Sequence, residues 1–393
     1  MTTTVRTRVA IVGAGPAGLL LSHLLGKAGI DSVVIEQRTR EEVETTIRAG
    51  ILEQGTVEIL DSSGASSRVR SIGHRHDGIE LRFEGEGHRI DFAALVGRGV
   101  WLYPQHEALK DLIGARIAAG QDLRFGITAQ RVEDAETSNP RVVAADADGE
   151  PLVIEADFVV GADGSRSVVR TAVTGSQTGG YYREYPFAWF GILCEAPPSA
   201  PELIYSNSEN GFALISQRSE TVQRMYFQCD PEADPNALSE EQLWEHLQAR
   251  VPGVTLKEGH IFQRDILRFR SFVAHELRHG RAALVGDAAH TVPPTGAKGM
   301  NMALYDVEIL AQAFIKAVQD HNIEDLNNYS DTCLKHIWNY QEFSAWMTDT
   351  MHDAGDPTQR GKFRQMIART RLDNVFDSPT AARLHSEYLK GII

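Results

Sequence analysis

Ser216 and Arg218 stand two residues apart in "ISQRS", and Arg224 and Tyr226 two apart in "VQRMYFQ". On a strand, residues i and i+2 share a face, so guanidinium groups converge with Ser and Tyr hydroxyls. That combination suits a carboxylate, which Arg grips through two parallel charge-assisted bonds. A solvated face of an antiparallel sheet is the plainer alternative for the same residues. A second chemistry is written in "RVAIVGAGPAGLLLSHLLGKAGIDSVVIEQR", where Gly13, Gly15 and Gly18 lie between a β-branched run and an apolar helix. The glycines allow a tight turn and close approach of a pyrophosphate, and Glu36, eighteen residues past Gly18, can bond a ribose hydroxyl. A Glu at that place disfavours a 2′-phosphate, so the bound dinucleotide is FAD or NAD rather than NADP.

These residues need elements to position them. The first segment reads strand, glycine turn, helix, strand, and is a βαβ unit. "ADFVVGADGSRSVVRTAV" repeats strand then turn, with Asp163 beside Gly161 and Gly164, and "GRAALVGDAAHTVPP" does so again with Asp287. Two acidic residues at strand ends, more than a hundred positions apart, suggest one extended ligand crossing several loops. After Pro293 and Pro294, Gly296 and Gly299 allow bare amides to approach a bound group. Met300, Ala303, Leu304, Val307 and Leu310 then recur at helical spacing. The amides of Lys298 to Asn301 therefore form a helix N-terminus that attracts negative charge. Between 181 and 272 the pattern alternates, with Asn210-Gly211 as a turn and Ser219 to Gln223 as a second break, and predicts a sheet.

The 393 residues and 42% hydrophobic content allow about two domains with sizeable cores. A formal charge of −14 argues against duplex nucleic acid as a partner. Cys194, Cys229 and Cys333 are odd in number and widely spaced, which suggests neither a disulfide framework nor a zinc site and fits a reducing cytoplasm. Glycines interrupt the N-terminal apolar stretch, and no stretch has the roughly 18 uninterrupted apolar residues of a membrane span, so the expectation is a soluble chain.

The glycine, Asp-Gly and Gly-Asp motifs, in this order, resemble those of the FAD-dependent aromatic monooxygenases. "RAGILEQG", "ELIY", "GFAL", "SQRS", "RSFV" and "GDAAHTVPPTGAKGMN" extend the resemblance over nearly the whole chain and narrow it to members that act on 4-hydroxybenzoate. The resemblance implies an α/β (mixed α+β) fold. Its discontinuous Rossmann-like FAD-binding domain would take residues 1–75, 98–180 and 273–299. An inserted β-sheet substrate domain would take 76–97 and 181–272, and a helical C-terminal part 300–393. It further implies a homodimer that uses FAD, O₂ and NADH or NADPH as transient reductant. The activity would be hydroxylation to 3,4-dihydroxybenzoate through a flavin C4a-hydroperoxide, whose electrophilic oxygen demands a phenolate.

By the same comparison Ser216, Arg218 and Tyr226 bind the substrate carboxylate, and Pro294 and Thr295 offer backbone groups near the reacting ring. Tyr205 bonds the phenol, and Tyr388 and His76 carry its proton to solvent. Gly13, Gly15, Gly18, Glu36, Arg48, Gln105, Asp163, Arg224, Asp287, Gly299, Met300 and Asn301 contact FAD. Arg38, Arg48, Arg166 and Arg270 serve the nicotinamide cofactor, and Arg166 stands where the family commonly has His. Gln37 after Glu36, with Glu41, Glu42 and Glu44 close behind, predicts use of NADH at least as good as NADPH, with Arg38 and Arg40 pulling the other way. A monooxygenase of another hydroxybenzoate and a flavin-bearing aromatic-acid sensor without turnover are the alternatives.

Overall fold

The β-branched run Thr3–Val12 is buried along its second half and lies at the centre of an eight-stranded sheet. The computed structural model describes residues 3–46, 50–352 and 358–391. In this first sheet Ala282–Leu284, Pro151–Gly161, Thr3–Val12, Ser32–Glu36 and Leu123–Phe125 run parallel, and Arg278–His279 closes one edge antiparallel. Helix Pro16–Lys27 makes the crossover between the first two strands in sequence, burying Leu19, Leu20, Leu21 and Leu25. Strand Pro151–Gly161 is longer than the apolar run at 158–160 suggests, because its first half pairs with the hairpin strand Arg141–Ala145.

The second sheet also has eight strands and orders His290–Thr291, His260–Ala274, Gly180–Glu195, Val222–Cys229, Gly211–Gln217, Ile204–Ser208, Gly78–Phe83 and Glu86–Asp91. Its alternation is clean. Ile204, Ala213, Ile215, Met225 and Phe227 pack on one side with Leu243, Trp244 and Leu247. Tyr205, Phe212, Leu214, Tyr226 and Trp189 pack on the other with Phe343 and Met347. The turn at Asn210-Gly211 forms as expected, with Gly211 at φ +94. The second break is shorter than predicted, since Val222 and Gln223 already belong to the next strand.

Helix Glu240–Arg250 interrupts what the sequence reads as continuous β-structure. Its signal is local: Ser239 and Gln242 form a reciprocal capping box. Three long helices follow the second sheet, Gly299–Gln319, Tyr329–Met351 and Gln359–Asp377, and Pro379–Leu389 comes last. The first of them buries Met302, Leu304, Val307 and Leu310 in the core of the first sheet. Tyr329–Met351 reaches both sheets, with Ile337 in that core and Phe343 and Met347 beside Tyr205 and Tyr226. No helix among the described residues is long and apolar enough to cross a membrane.

Candidate active site

At the end of the first strand the chain turns through Gly13 at φ +107, where a side chain is strained. A Cβ on Gly13 would lie 2.2 Å from the Ala162 carbonyl oxygen, and one on Gly18 would lie 2.0 Å from that of Gly13. The two glycines let the loop close on the neighbouring strand end. Gly15 instead faces open space and precedes a helix with no side-chain cap, so the first-turn amides are available to an anion. Glu36 is buried beside this loop, one carboxylate oxygen accepting from the Ala14 amide at 2.9 Å. Its other oxygen accepts from the amide and Nε of Arg38, at 3.1 and 3.0 Å. Arg40 pairs with Glu44 at 2.6 Å, and Glu42 closes a capping box with Thr39. Two of the arginines next to the acidic run are thus already matched by carboxylates.

The Asp-Gly and Gly-Asp loops meet through an arginine the sequence reading passed over. Buried Arg170 donates from Nε to the Ala288 carbonyl at 2.7 Å and from Nη2 to that of Asp287 at 3.1 Å. Its Nη1 reaches the carbonyls of Ser165 and Gln177. Asp163 accepts from the Val168 amide at 2.8 Å, while its buried Oδ1 has no partner among the described residues, and burial pushes its carboxyl pKa up. Behind the Gly-Asp turn, Asp306 accepts from the Gly286 amide at 3.1 Å and pairs with His290 at 2.5 Å, both fully buried. Asp287 itself is exposed, as are Arg166 and Arg270. Gln105 opens helix Gln105–Ala118 and is partly buried. Arg48 lies outside the described residues.

The Pro-Pro segment folds as a short 3₁₀ turn, Pro294–Gly296. Thr295 is fully buried and its hydroxyl accepts from Thr348 Oγ1 at 3.0 Å. A Cβ on Gly296 would come within 2.7 Å of Ser344 Oγ, so the turn lies against the helix that carries both residues. Gly299 faces open space at the start of a helix with no side-chain cap, and Met300 follows partly buried. Asn301 turns its side chain inward. It accepts from the Glu53 amide and Thr56 Oγ1 and donates to the carbonyls of Ile51 and Ala297. Buried Lys298 donates to Glu53 at 2.6 Å and to the Tyr388 carbonyl at 2.5 Å, and Tyr340 donates to the second Glu53 oxygen at 2.8 Å.

On the second sheet Tyr205, Leu214, Tyr226, Gly191 and Asp265 form one row across five strands. Arg224 pairs with both oxygens of Asp265 at 2.6 Å and stacks over the Tyr226 ring. Gly191 makes room for this pair, since a Cβ there would stand 2.5 Å from Asp265 Oδ1. Arg218 is different. It donates to Ser216 Oγ and the Gln217 carbonyl, both at 3.1 Å, and interacts with the Tyr226 hydroxyl. Its buried Nε has no partner, and among the described residues no carboxylate pairs with it. The sequence-based grouping of Ser216, Arg218, Arg224 and Tyr226 therefore assembles one guanidinium paired with a carboxylate through Nη2 and one with no such pair among the described residues, with buried nitrogens left over on both. Tyr205 is buried in the same core, and loss of hydration pushes its phenol pKa up.

Tyr205, Tyr388 and His76 share no direct hydrogen bond among the described residues. Tyr388 stacks on Phe343, and His76 Nε2 meets the Gln217 amide at 3.0 Å. His76 is buried with an Nδ1 that has no partner among the described residues, and burial lowers its pKa.

A family model described as an FAD binding domain matches residues 6–344. The p-hydroxybenzoate hydroxylase of Acinetobacter baylyi is 41% identical over 99% of this chain and 96% of its own length. The chain belongs to the FAD-dependent aromatic hydroxylases. A more distant relative, a probable NADH-specific resorcinol 4-hydroxylase of Rhodococcus jostii, is 24% identical over 93% of this chain and 69% of its own. The hydroxylase shares its fold with p-nitrophenol 4-monooxygenase from Pseudomonas putida, at TM-score 0.77 and 22% identity over 99% of both chains. It also shares it with anhydrotetracycline hydroxylase from Streptomyces rimosus, at TM-score 0.75 and 20% identity over 98% of this chain and 76% of that one.

The cofactor of this hydroxylase family is FAD, and the residues present fit it. An uncapped helix start with open space at Gly15, an orphaned Asp163 oxygen and a second uncapped helix start at Gly299 are features a dinucleotide would satisfy. Asp265, Gly191, Arg170, Glu53 and Lys298 are what the sequence reading of the hydroxylase missed. Glu53 in "RAGILEQG", Lys298 in "GAKGMN" and Arg170 in "SVVRTAV" lay inside motifs that could have drawn notice, whereas Asp265 and Gly191 had none.

Proposed function

We propose that this hydroxylase converts 4-hydroxybenzoate to 3,4-dihydroxybenzoate, using O₂ and NADH or NADPH. The observation that carries the reading is Arg218, a guanidinium with a buried, unpartnered Nε and no carboxylate partner among the described residues, beside the hydroxyls of Ser216 and Tyr226. An aromatic carboxylate supplies the missing charge through paired hydrogen bonds. Arg224, already neutralised by Asp265, is left to hold position against the cofactor. The 41% identity to a p-hydroxybenzoate hydroxylase over nearly full length supports the same substrate.

FAD, when bound, supplies the reduction of O₂ and the electrophilic oxygen. The Gly13, Gly15 and Gly18 loop, Glu36, Gln105, Asp163, Asp287 and the helix start at Gly299 to Asn301 would hold it, with Arg224 alongside. This assigns cofactor binding to the first sheet and substrate binding to the second. Tyr205 faces the substrate phenol and, kept neutral by burial, accepts a hydrogen bond from it or donates one to its phenolate. Tyr388 and His76 lead the proton outward, His76 being held in the neutral, proton-accepting form. The apolar packing of Phe212, Leu214 and Trp189 around this face excludes bulk water. Because Arg38 and Arg40 are matched by Glu36 and Glu44, NADH serves at least as well as NADPH. A homodimer and a cytoplasmic location complete the reading; three free cysteines are compatible with that location.

The test is product analysis with purified, FAD-loaded enzyme and NADH, offering 2-, 3- and 4-hydroxybenzoate separately. The expected result is 3,4-dihydroxybenzoate from the 4-isomer in near-equal amount to NADH consumed. Faster turnover of another isomer, or binding without any ring product, would overturn the assignment.

A further inference from the structure

His352 ends helix Tyr329–Met351, and its imidazole is buried among aromatic rings. Phe187 stacks on it at 4.6 Å between centroids, Phe212 lies at 4.2 Å, and Trp189 and Phe269 stand at 5.9 and 6.0 Å. A phenylalanine would pack there without taking a polar ring out of water, so the histidine is to be judged by the hydrogen bonds it makes. Its Nε2 accepts from Trp189 Nε1 at 2.6 Å, and its Nδ1 donates to the Thr348 carbonyl at 2.9 Å. An indole N–H can only donate and a carbonyl can only accept, so these partners select the neutral ring with its proton on Nδ1.

The two bonds lead to different walls of the substrate face. Trp189 sits on strand Gly180–Glu195, its ring 4.9 Å from that of Tyr226 and 5.3 Å from that of Phe212, which in turn lies 6.2 Å from Tyr205. Thr348 is one turn back along the helix, and its Oγ1 meets that of buried Thr295 at 3.0 Å. Ser344, a further turn back, lies so close to Gly296 that a Cβ there would stand 2.7 Å from its Oγ. Spaced four apart, Ser344, Thr348 and His352 form one stripe along which the helix holds the turn Pro294–Gly296. The imidazole links that stripe to the second sheet.

We propose that His352 is a positioning residue for ring hydroxylation: through Trp189 and Thr348 it fixes the spacing between the Tyr205–Tyr226 face and the Pro294–Thr295 turn, where the substrate ring is held. The proposal rests on the reading of Tyr205 and Tyr226 as substrate ligands and of that turn as the neighbour of the reacting ring. Oxygen transfer to a ring carbon is a short-range step, and a misplacement of about 1 Å can cost on the order of a hundredfold in rate. Binding of the carboxylate at Arg218 does not depend on the same spacing. Loss of the link should therefore appear in the share of NADH consumption that yields product, and hardly in substrate affinity.

The experiment compares FAD-loaded wild type, His352→Phe, His352→Gln, Trp189→Phe and the double variant His352→Phe/Trp189→Phe. Product per NADH is measured by chromatography, and 4-hydroxybenzoate affinity by titration of the flavin absorbance. Phe keeps a ring at 352 and loses both bonds, whereas the Gln carbonyl can still accept from Trp189. Product per NADH should fall by about tenfold or more in His352→Phe and in Trp189→Phe, and recover most of the loss in His352→Gln. Because both single variants break the same bond, the double variant should fall short of the product of their losses. A packing role alone would lower the melting temperature and leave the ratio unchanged. A wild-type ratio in His352→Phe, or in Trp189→Phe if the former does not fold, would overturn the proposal, as would losses that multiply. The underlying reading is checked apart, in the wild type. If that makes ring product only from another hydroxybenzoate, the substrate assignment is wrong and the ratios measured with that isomer still judge His352; no ring product from any isomer overturns both.

Discussion

The loops of the first sheet and the strand face of the second both present positive potential to an anion, by opposite means. The first uses backbone amides at two uncapped helix starts, which water can hydrate when no ligand is present. The second uses guanidinium groups, one cancelled by Asp265 and one left at Arg218 with its Nε buried. Backbone sites tolerate any phosphate that fits the curve of the chain. A desolvated guanidinium beside Ser216 and Tyr226 suits a planar carboxylate, because leaving it unmatched is costly. On the proposed reading the cofactor is held by glycine geometry, and the substrate is chosen by side chains on the second sheet and, at Arg218, just past the end of strand Gly211–Gln217.

The largest expected effect separates chemistry from both kinds of binding. Tyr205→Phe should lower the yield of 3,4-dihydroxybenzoate by about a hundredfold or more, while FAD content and NADH oxidation persist. Product per NADH, measured by chromatography against absorbance loss, checks it; full coupling in the variant would remove Tyr205 from the reaction. Gly13→Ala probes the backbone-built side. At φ +107, with a Cβ 2.2 Å from the Ala162 oxygen, the substitution should release FAD and cost about 1–3 kcal/mol of stability. A variant purified with full flavin and an unchanged urea midpoint would show that the loop has slack.

The same contrast explains what could be read from sequence. Gly13, Gly15 and Gly18 fall within six residues, and the turn they make is decided locally, so the βαβ unit and its ligand class were legible. The period-two alternation around Ser216 and Tyr226 gave the sheet and the shared face. It could not give Asp265, which reaches Arg224 from 41 residues away, nor the reason for glycine at 191, which is a close approach of that pair. Resemblance supplied the roles proposed for Tyr205 and His76, which no spacing announces. Helix Glu240–Arg250 had a readable capping box that the surrounding strand pattern masked.

Acid should damage the side-chain-built region. His352 is wedged among Phe187, Phe212 and Trp189, accepts from Trp189 Nε1 at 2.6 Å, and its pKa is lowered to about 3 by burial. The unfolded chain takes a proton near pH 6.5 that the native state refuses, so this contribution is full above pH 6.5 and is lost as pH falls. The loss reaches on the order of 3 kcal/mol by pH 4. Urea midpoints from pH 8 to 4 should fall over that range, less steeply in His352→Gln; equal slopes would place the acid sensitivity elsewhere. The smallest effect concerns the reductant. With Arg38 and Arg40 matched by carboxylates, kcat/KM for NADH should at least equal that for NADPH, and the contradicting result is a preference for NADPH above about tenfold, or roughly 1.4 kcal/mol. A larger preference would show that one of these pairs opens to a phosphate.

The central claim is that Arg218 is the unmatched charge that selects the substrate. It is tested by titrating the flavin absorbance of wild type and Arg218→Ala with 4-hydroxybenzoate and with 4-hydroxybenzamide, which keeps the phenol and lacks the charge. Wild type should bind the carboxylate far more tightly than the amide. The variant should lose about 2–5 kcal/mol toward the carboxylate and little toward the amide, with FAD still bound. Near-normal affinity of Arg218→Ala for 4-hydroxybenzoate, or equal losses for both ligands, would contradict the assignment.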